Sequence, residues 1–419
     1  MAEIAPFLGI RYNRTLAGDL CKVTCPPYDI ISPADNAYYQ ELHPNNFVRL
    51  ILGDERAGDN DADNRFKRAS GFLEQWISDG VLDQDQTPTI YIYEQQFERD
   101  GERKIVRGIM CAVKLHSYAD RVVLPHENTL AKPKSHLSPL IRAVKANLDC
   151  VYGLYADEQH NLDEIIDAAM KSEPAANVVD RDGVRHLLWA ITDGGVIGQI
   201  VDFLKDKQIA IADGHHRYET ALAYAEEVRG NGSTGADYVL MTIANVFQDD
   251  LTVLPTHRVV GNVPDDLMNG LEESLAELFE IKKSTRQSLV EDMKSEAAIG
   301  MYGKSGAFTL KLKADPSTLL SGSEASTNLE LNVLHKLVLE RSLGIDGEKL
   351  RNQTNIIYMR SADEAMDLVD SGERQLAFVL NEMSVKSVLD IAAADERMPQ
   401  KATYFYPKLL SGLVLRKMD

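Results

Sequence analysis

Five consecutive residues, Asp213-Gly214-His215-His216-Arg217, place a carboxylate, two imidazoles and a guanidinium on one short stretch. An apolar run at 208–212 precedes them. An amphipathic pattern follows, with Tyr218, Ala221, Leu222, Ala225 and Val228 on one helical face. The pattern predicts a strand, a tight turn and a helix. Gly214 tolerates backbone angles that other residues avoid. The first N–H groups of a helix have no intrahelical partner, and the helix dipole favours an anion there. Such a turn is a ready phosphate site. Arg217 adds a planar, permanently charged fork suited to phosphate oxygens. His215 and His216 can donate hydrogen bonds or exchange protons near neutral pH. Three roles stand open for Asp213: helix cap, metal ligand through water, or orienter of a histidine. An ordinary capped helix with surface histidines is the plain alternative. Two histidines and an arginine crowded on one helix start are costly unless an anion binds, which favours function.

Other residues carry chemistry of their own. His126 and Glu127 pair an imidazole with a carboxylate in a polar loop, a general base with a metal–water holder. Leu130 excludes the zinc-protease pattern, which needs histidine there. Lys132 and Lys134 beside them could steady phosphates. Tyr28 and Asp29 follow two prolines that hold the chain extended. Asn46 and Arg49 could recognise a carboxylate. Thr256, His257 and Arg258 end an apolar strand, where α/β sheets often face a ligand crevice. Lys401 and Lys408 could reach the same anion. Each has a bland counterpart, as a solvated loop, turn or strand end. Gly303-Lys304-Ser305 ends like a phosphate-binding Walker A loop, but Ala298 replaces the required earlier glycine and a strand follows, so a hairpin is expected.

These residues sit in a chain of 419 residues, long enough for two domains. Residues 89–97 and 104–115 read as an antiparallel strand pair, and 151–155 as a short buried strand. Residues 237–245 and 252–260 read as a further strand pair. Beyond about 261 the texture changes. Helices are expected at 265–279 and 328–343 and a hairpin at 299–312. Strands and helices then alternate over 355–394. The expected division is 1–260 and 261–419, the second part an α/β extension contributing to the same cleft.

Composition narrows the function classes. Hydrophobic residues make up 44% and charged residues 26%, an ordinary globular mixture. No stretch has the apolar length of a membrane span, and the opening residues lack a secretory pattern, so a cytoplasmic protein is expected. The net charge of -19 disfavours extended nucleic-acid contact, which needs a basic patch. The four cysteines lack a matched metal-binding pair and are expected as reduced, buried thiols.

The stretch from Asp213 to Ala221 resembles the signature of the bacterial and archaeal family known as domain of unknown function 1015. Gly214 and Arg217 are more distantly similar to the Gly-x-x-Arg phosphate motif of the ParB/sulfiredoxin superfamily, which includes free-serine kinases. Outlying elements extend the resemblance over nearly the whole chain. They run from Cys25 to Ile31, from Asn46 to Leu50, from His126 to Thr129, from Leu254 to Arg258 and from Met398 to Phe405, with Pro407-Lys408. Ala402 stands where that family usually has serine, and Ser135-His136 where it has Asp-Arg. The resemblance implies a mixed α/β fold, a ParB/sulfiredoxin-like core with a C-terminal α/β extension. It implies a phosphotransferase acting on a small hydroxylated metabolite, L-serine first, with ATP, ADP or pyrophosphate as donor and Mg²⁺ as cofactor. In that reading Gly214, His215, His216, Arg217, Lys132 and Lys401 hold donor phosphates, and Asp213 and Glu127 hold the metal. Glu127, His126, His216 and Asp213 do the acid–base work. Tyr28, Asp29, Asn46, Arg49, Thr256, His257 and Arg258 bind the substrate. A homodimer is left open. The rival reading is a ParB-like nucleotide-binding regulatory protein with no phosphoryl acceptor. A phosphate-ester hydrolase is a third.

Overall fold

The computed structural model describes residues 1–129, 131–231 and 235–418, except the side chains of Ala131, Lys132 and Asn231. The fold is mixed α/β, as expected. By contact the chain forms two compact units. The first holds Met1–Leu124, Leu130–Leu251 and Pro407–Asp419; the second holds Pro125–Thr129 and Thr252–Tyr406. Residues 252–260 thus group with the second unit and 407–419 with the first, whereas the reading above put the break at 260.

The first unit is built on a nine-stranded mixed sheet. Strands Ile90–Arg99 and Glu102–Lys114 pair antiparallel across the Asp100-Gly101 turn, as their alternation predicts. Strand period two sends successive side chains to opposite faces. Tyr91 and Tyr93 therefore join one apolar cluster with Phe47 and Trp76, while Ile90 and Ile92 join another with Ile109 and Ile211. Both faces are covered along the core, so residues 90–95 and 108–113 are buried, while the ends beside the turn reach solvent.

Strand Ile209–Asp213 lies between Val123–Leu124, parallel to it, and Val151–Tyr155, antiparallel. Its register slips between Ile211 and Asp213. Such a bulge re-aims the side chain that follows, here Asp213 at the strand's end. Helix His215–Val228 then buries Tyr218, Ala221 and Ala225 against the sheet. Near the C-terminus, Arg416–Lys417 pairs with Ala146–Asn147 in the same unit. All four cysteines are free thiols.

In the second unit, a six-stranded sheet runs Phe279–Ser284, Gly306–Leu312, Ile299–Gly303, Leu376–Val379, His257–Val260 and Ile356–Met359. Helix Ala362–Asp370 packs Ala365 and Val369 against Val259 and Ala377. Gly303 opposes Gly306 across a tight hairpin turn, so the Walker-like triplet is the expected turn.

Two expected elements are corrected. Residues 252–260 are not a partner of Tyr238–Asn245. Thr252–Leu254 pairs with Tyr404–Tyr406, and His257–Val260 joins the six-stranded sheet. Pro255, between them, has no N–H to give a ladder and divides the run. The single helix expected at 328–343 is a short α-turn, Glu330–Val333, running into a π-helix, Leu334–Ser342. Its wider winding is seen in the bond from Leu343 N–H to the Val338 carbonyl. No helix among the described residues is long and apolar enough to cross a membrane.

Candidate functional site

The Asp213–Arg217 turn takes the strand–turn–helix form expected. Gly214 sits at φ +90°, in the left-handed region, and caps a 14-residue helix with no side-chain bond. A β-carbon on Gly214 would lie 2.8 Å from Arg217 Nε, so glycine is needed for space as well as for angle. His215 is buried and His216 half-buried.

Arg217 does not point its fork outward. Its Nη2 donates to Asp213 Oδ2 at 2.7 Å, and Nη1 donates to the Cys150 carbonyl. Lys408 Nζ donates to the other Asp213 oxygen at 3.0 Å. The Arg217 and Lys408 side chains are only 10% and 9% exposed. Burial works against the Arg217 charge, but Asp213, Asp149 and Asp29 outweigh it and hold the guanidinium above its ordinary value. Asp149 is half-buried, accepts from Ser411 Oγ, and has its carboxyl pushed up by the loss of water around it. Tyr28 belongs to the same cluster; burial and Asp29 push its phenol up. His136 stacks on Tyr28 at 5.4 Å and donates from Nε2 to the Ile51 carbonyl at 2.9 Å. That histidine, one of the departures noted above, serves to seat Tyr28. Two cations thus face three carboxylates around one turn. Asp149 and Ser411 escaped the sequence reading. The only hint of Asp149 was a lone acid before an apolar strand.

Asn46 and Arg49 are in the first unit but are tied to its backbone. Asn46 is fully buried; its amide donates to the Lys22 and Thr24 carbonyls and its Oδ1 accepts from Val48 N–H. It fixes a loop. Arg49 donates to the Gln40 carbonyl at 2.6 Å. The Lys132 side chain lies outside the described residues.

The remaining expected residues come together in the second unit. Glu127 Oε1 accepts the Lys401 N–H at 3.0 Å, and the His126 carbonyl accepts the Met398 N–H at 2.7 Å. The His126 ring is fully buried, with Nε2 3.0 Å from the Thr403 hydroxyl. Arg258 is fully buried. Its Nη1 donates to the Thr256 carbonyl, and Nη2 to those of Gln400 and Lys401 at 3.2 and 3.0 Å. Lys401 adopts φ +54°, so that its N–H meets Glu127 while its carbonyl meets Arg258; its side chain is exposed. His257 Nδ1 accepts the Leu380 N–H at 3.2 Å. Burial, helped by the Arg258 charge, pushes this imidazole down to about 4, so it is neutral near pH 7. Ala402 is buried.

Residues 4–337 match the family described as "Protein of unknown function (DUF1015)". The chain belongs to that family. No curated protein matches it. Three solved structures show likeness at low identity. A conserved hypothetical protein from Pyrococcus furiosus is 12% identical, with 72% of this chain and 92% of that one covered and a TM-score of 0.36. A free serine kinase in complex with AMP is 13% identical, with 71% and 86% covered and a TM-score of 0.35. SbnI with a C-terminal truncation, from Staphylococcus aureus, is 14% identical, with 72% and 85% covered and a TM-score of 0.37.

The metal expected for this DUF1015 member finds no ready ligand set. Among the described residues no three His, Cys, Asp or Glu side chains gather as a metal site. Asp213, one expected ligand, already gives one oxygen to Arg217 and the other to Lys408. A carboxylate so neutralised does not fit as a direct Mg²⁺ ligand.

Proposed function

We propose that the protein is a phosphotransferase. It moves a phosphoryl group from ATP, ADP or pyrophosphate to the hydroxyl of a small metabolite, with L-serine the first choice and O-phosphoserine the product. The P–O bond to the leaving diphosphate or phosphate breaks. A new P–O bond forms to the alcohol oxygen, whose proton goes to a base or to water. Such transfer asks mainly for position and charge neutralisation.

The observation that carries this reading is the turn at Gly214. There the positive end of a 14-residue helix begins on a left-handed glycine, with His216 half-buried beside it. Donor phosphates take the helix start; Arg217 and Lys408 hold Asp213 and shape the turn rather than gripping the phosphate themselves.

The test is direct. The full chain is incubated with Mg²⁺, L-serine and each donor in turn, and phosphorus NMR follows O-phosphoserine. Transfer with at least one donor is expected, and His216→Ala should slow it at least about tenfold, the lower end for one acid–base or phosphate contact. No transfer with any donor, to serine or to other small alcohols, overturns the reading. Phosphate released to water alone would make the protein a hydrolase.

A further inference from the structure

The second unit holds a cavity of about 310 Å³, lined by Asn128, Thr129, His335, Leu350, Tyr358 and Gln400 among others. An opening of about 900 Å³ shares Asn128, His335 and Leu350 with it. Three lining side chains have a buried polar atom with no hydrogen-bond partner among the described residues: His335 Nε2, Tyr358 Oη and Gln400 Oε1. A fourth, Nε of the fully buried Arg258, lies just behind them. Its guanidinium stacks 5.2 Å from the Tyr358 ring and donates to the Gln400 carbonyl.

Each buried polar atom left without a partner costs about 1–3 kcal/mol, and native proteins keep few of them. Four at one place call for something that supplies partners. His335 also rides on the π-helix Leu334–Ser342, and such windings are often found at functional sites.

The chemistry of the missing partner follows from the donors and acceptors. Arg258 Nε only donates, and Gln400 Oε1 only accepts; Tyr358 Oη and neutral His335 Nε2 do either. Burial and the nearby Arg258 charge hold His335 well down, so it stays neutral. Arg258 has no ion pair within 4 Å among the described residues; Tyr358 and Glu127 favour its charge from farther off, but burial outweighs them and pushes it down to about 10. Lys336, Arg341 and Arg397, around the larger opening, are each already paired with an acid: Glu340, Glu277 and Asp395. Arg351 is exposed to solvent. Among the described residues around the pocket, the buried cation whose charge is only partly offset is therefore Arg258 alone. It suits one carboxylate rather than a chain of phosphates, and Gln400 asks the same ligand for a donor close by.

We propose that this pocket binds a small α-amino acid, its carboxylate facing Tyr358, His335 and the Arg258 charge, and its ammonium facing Gln400. That this amino acid is the phosphoryl acceptor rests on the phosphotransferase reading; that the pocket is occupied does not.

The test is calorimetric titration of the full chain with L-serine, L-alanine, acetate and inorganic phosphate, without any phosphoryl donor. Both amino acids should saturate one site, and acetate and phosphate should bind at least about tenfold more weakly. Tyr358→Phe and Gln400→Met should each weaken amino-acid binding about tenfold or more, with an unchanged melting temperature. The wild-type His335 imidazole resonance should also move on saturation with L-alanine, which decides the matter if a variant fails to fold. Lack of saturable amino-acid binding, acetate or phosphate binding as tight, or a His335 signal that stays fixed overturns the proposal. Failure of phosphoryl transfer with amino-acid binding intact would sink the enzyme reading alone.

Discussion

Arg217 in the first unit and Arg258 in the second are both buried arginines, yet they are held in opposite ways. Arg217 is surrounded by Asp213, Asp149 and Asp29, which raise its proton affinity despite burial. Arg258 meets the carbonyls of Thr256, Gln400 and Lys401 and keeps Nε unpartnered, and burial wins. A guanidinium already neutralised by carboxylates is part of the scaffold. One whose burial outweighs the pull of Glu127 is poised for an anion. The Asp213–Arg217 turn thus supplies the brace, and Arg258, at the end of the Leu254–Arg258 stretch, supplies the positive field.

The largest expected effect tests that contrast. Breaking a buried ion pair by removing one partner costs about 3–5 kcal/mol, because the charge left behind is uncompensated. Arg217→Met leaves Asp149 without its cation and Asp213 with Lys408 alone, and should lose up to that much in urea denaturation. Arg258→Met leaves carbonyls behind and takes from Glu127 a cation beyond ion-pair distance, while Glu127 keeps the Lys401 N–H, so its loss should stay below about 2 kcal/mol. Hydrogen exchange would show which unit loosens in each variant. An Arg258→Met loss equal to that of Arg217→Met would break the comparison.

A second effect reads the Arg258 field through its neighbour. In the folded chain His257 is pushed down to about 4, against 6.5 as its ordinary value, first by burial and then by Arg258. Unfolded chains take up a proton near pH 6.5 that the folded chain refuses. Stability from this residue is therefore full above pH 6.5 and is lost as pH falls from there toward 4. Linkage puts the total loss at about 3 kcal/mol. His257→Gln should remove that part of the acid sensitivity. Arg258→Met should raise the folded-state value part of the way back toward 6.5, so the loss becomes smaller and is complete at a higher pH without vanishing, since burial is the larger cause.

Which parts of this were legible in the sequence follows from how local each signal is. The hairpin at Gly303–Gly306 and the strand pair across Asp100-Gly101 are set by turn residues and alternation within a dozen positions. The strand-to-helix turn at Gly214 is equally local, and it was read correctly. The direction of the Arg217 fork was not, because its partners Cys150 and Asp149 lie far away in the chain and only the sheet brings strand Val151–Tyr155 beside it. Residues 252–260 read as one strand because composition is uniform across Pro255, while the division is made by separate partner strands. His335, Tyr358 and Gln400 carry no motif. They stand out only as polar atoms left without partners by packing, and no spacing in one dimension encodes that.

A third effect is smaller and tests the brace itself. Gly214→Ala puts a β-carbon 2.8 Å from Arg217 Nε and forces a non-glycine residue to φ +90°. The backbone term alone is about 1–2 kcal/mol. If Arg217 yields, its bonds to Asp213 and Cys150 are loosened as well. A denaturation loss of roughly 2 kcal/mol, together with slower phosphoryl transfer, is expected. An unchanged rate would take the turn out of the mechanism.

The smallest effect separates the two cations on Asp213. Lys408 is 9% exposed and donates to Asp213 Oδ1, an oxygen Arg217 does not use. Lys408→Met keeps the aliphatic stem that packs beneath the charge and leaves the Arg217–Asp213 bond in place. At Asp213 one arm of a partly buried pair is lost, and that share of the cost should be about 1 kcal/mol, well under that of Arg217→Met. The double variant with Asp213→Asn then measures the coupling: a Lys408→Met cost that vanishes in the Asp213→Asn background places the lysine's whole contribution on that carboxylate. A cost that persists would mean Lys408 answers to the field of Asp149 and Asp29 as well, and the brace would have to be drawn as one five-charge cluster instead of a pair held on each side of Asp213.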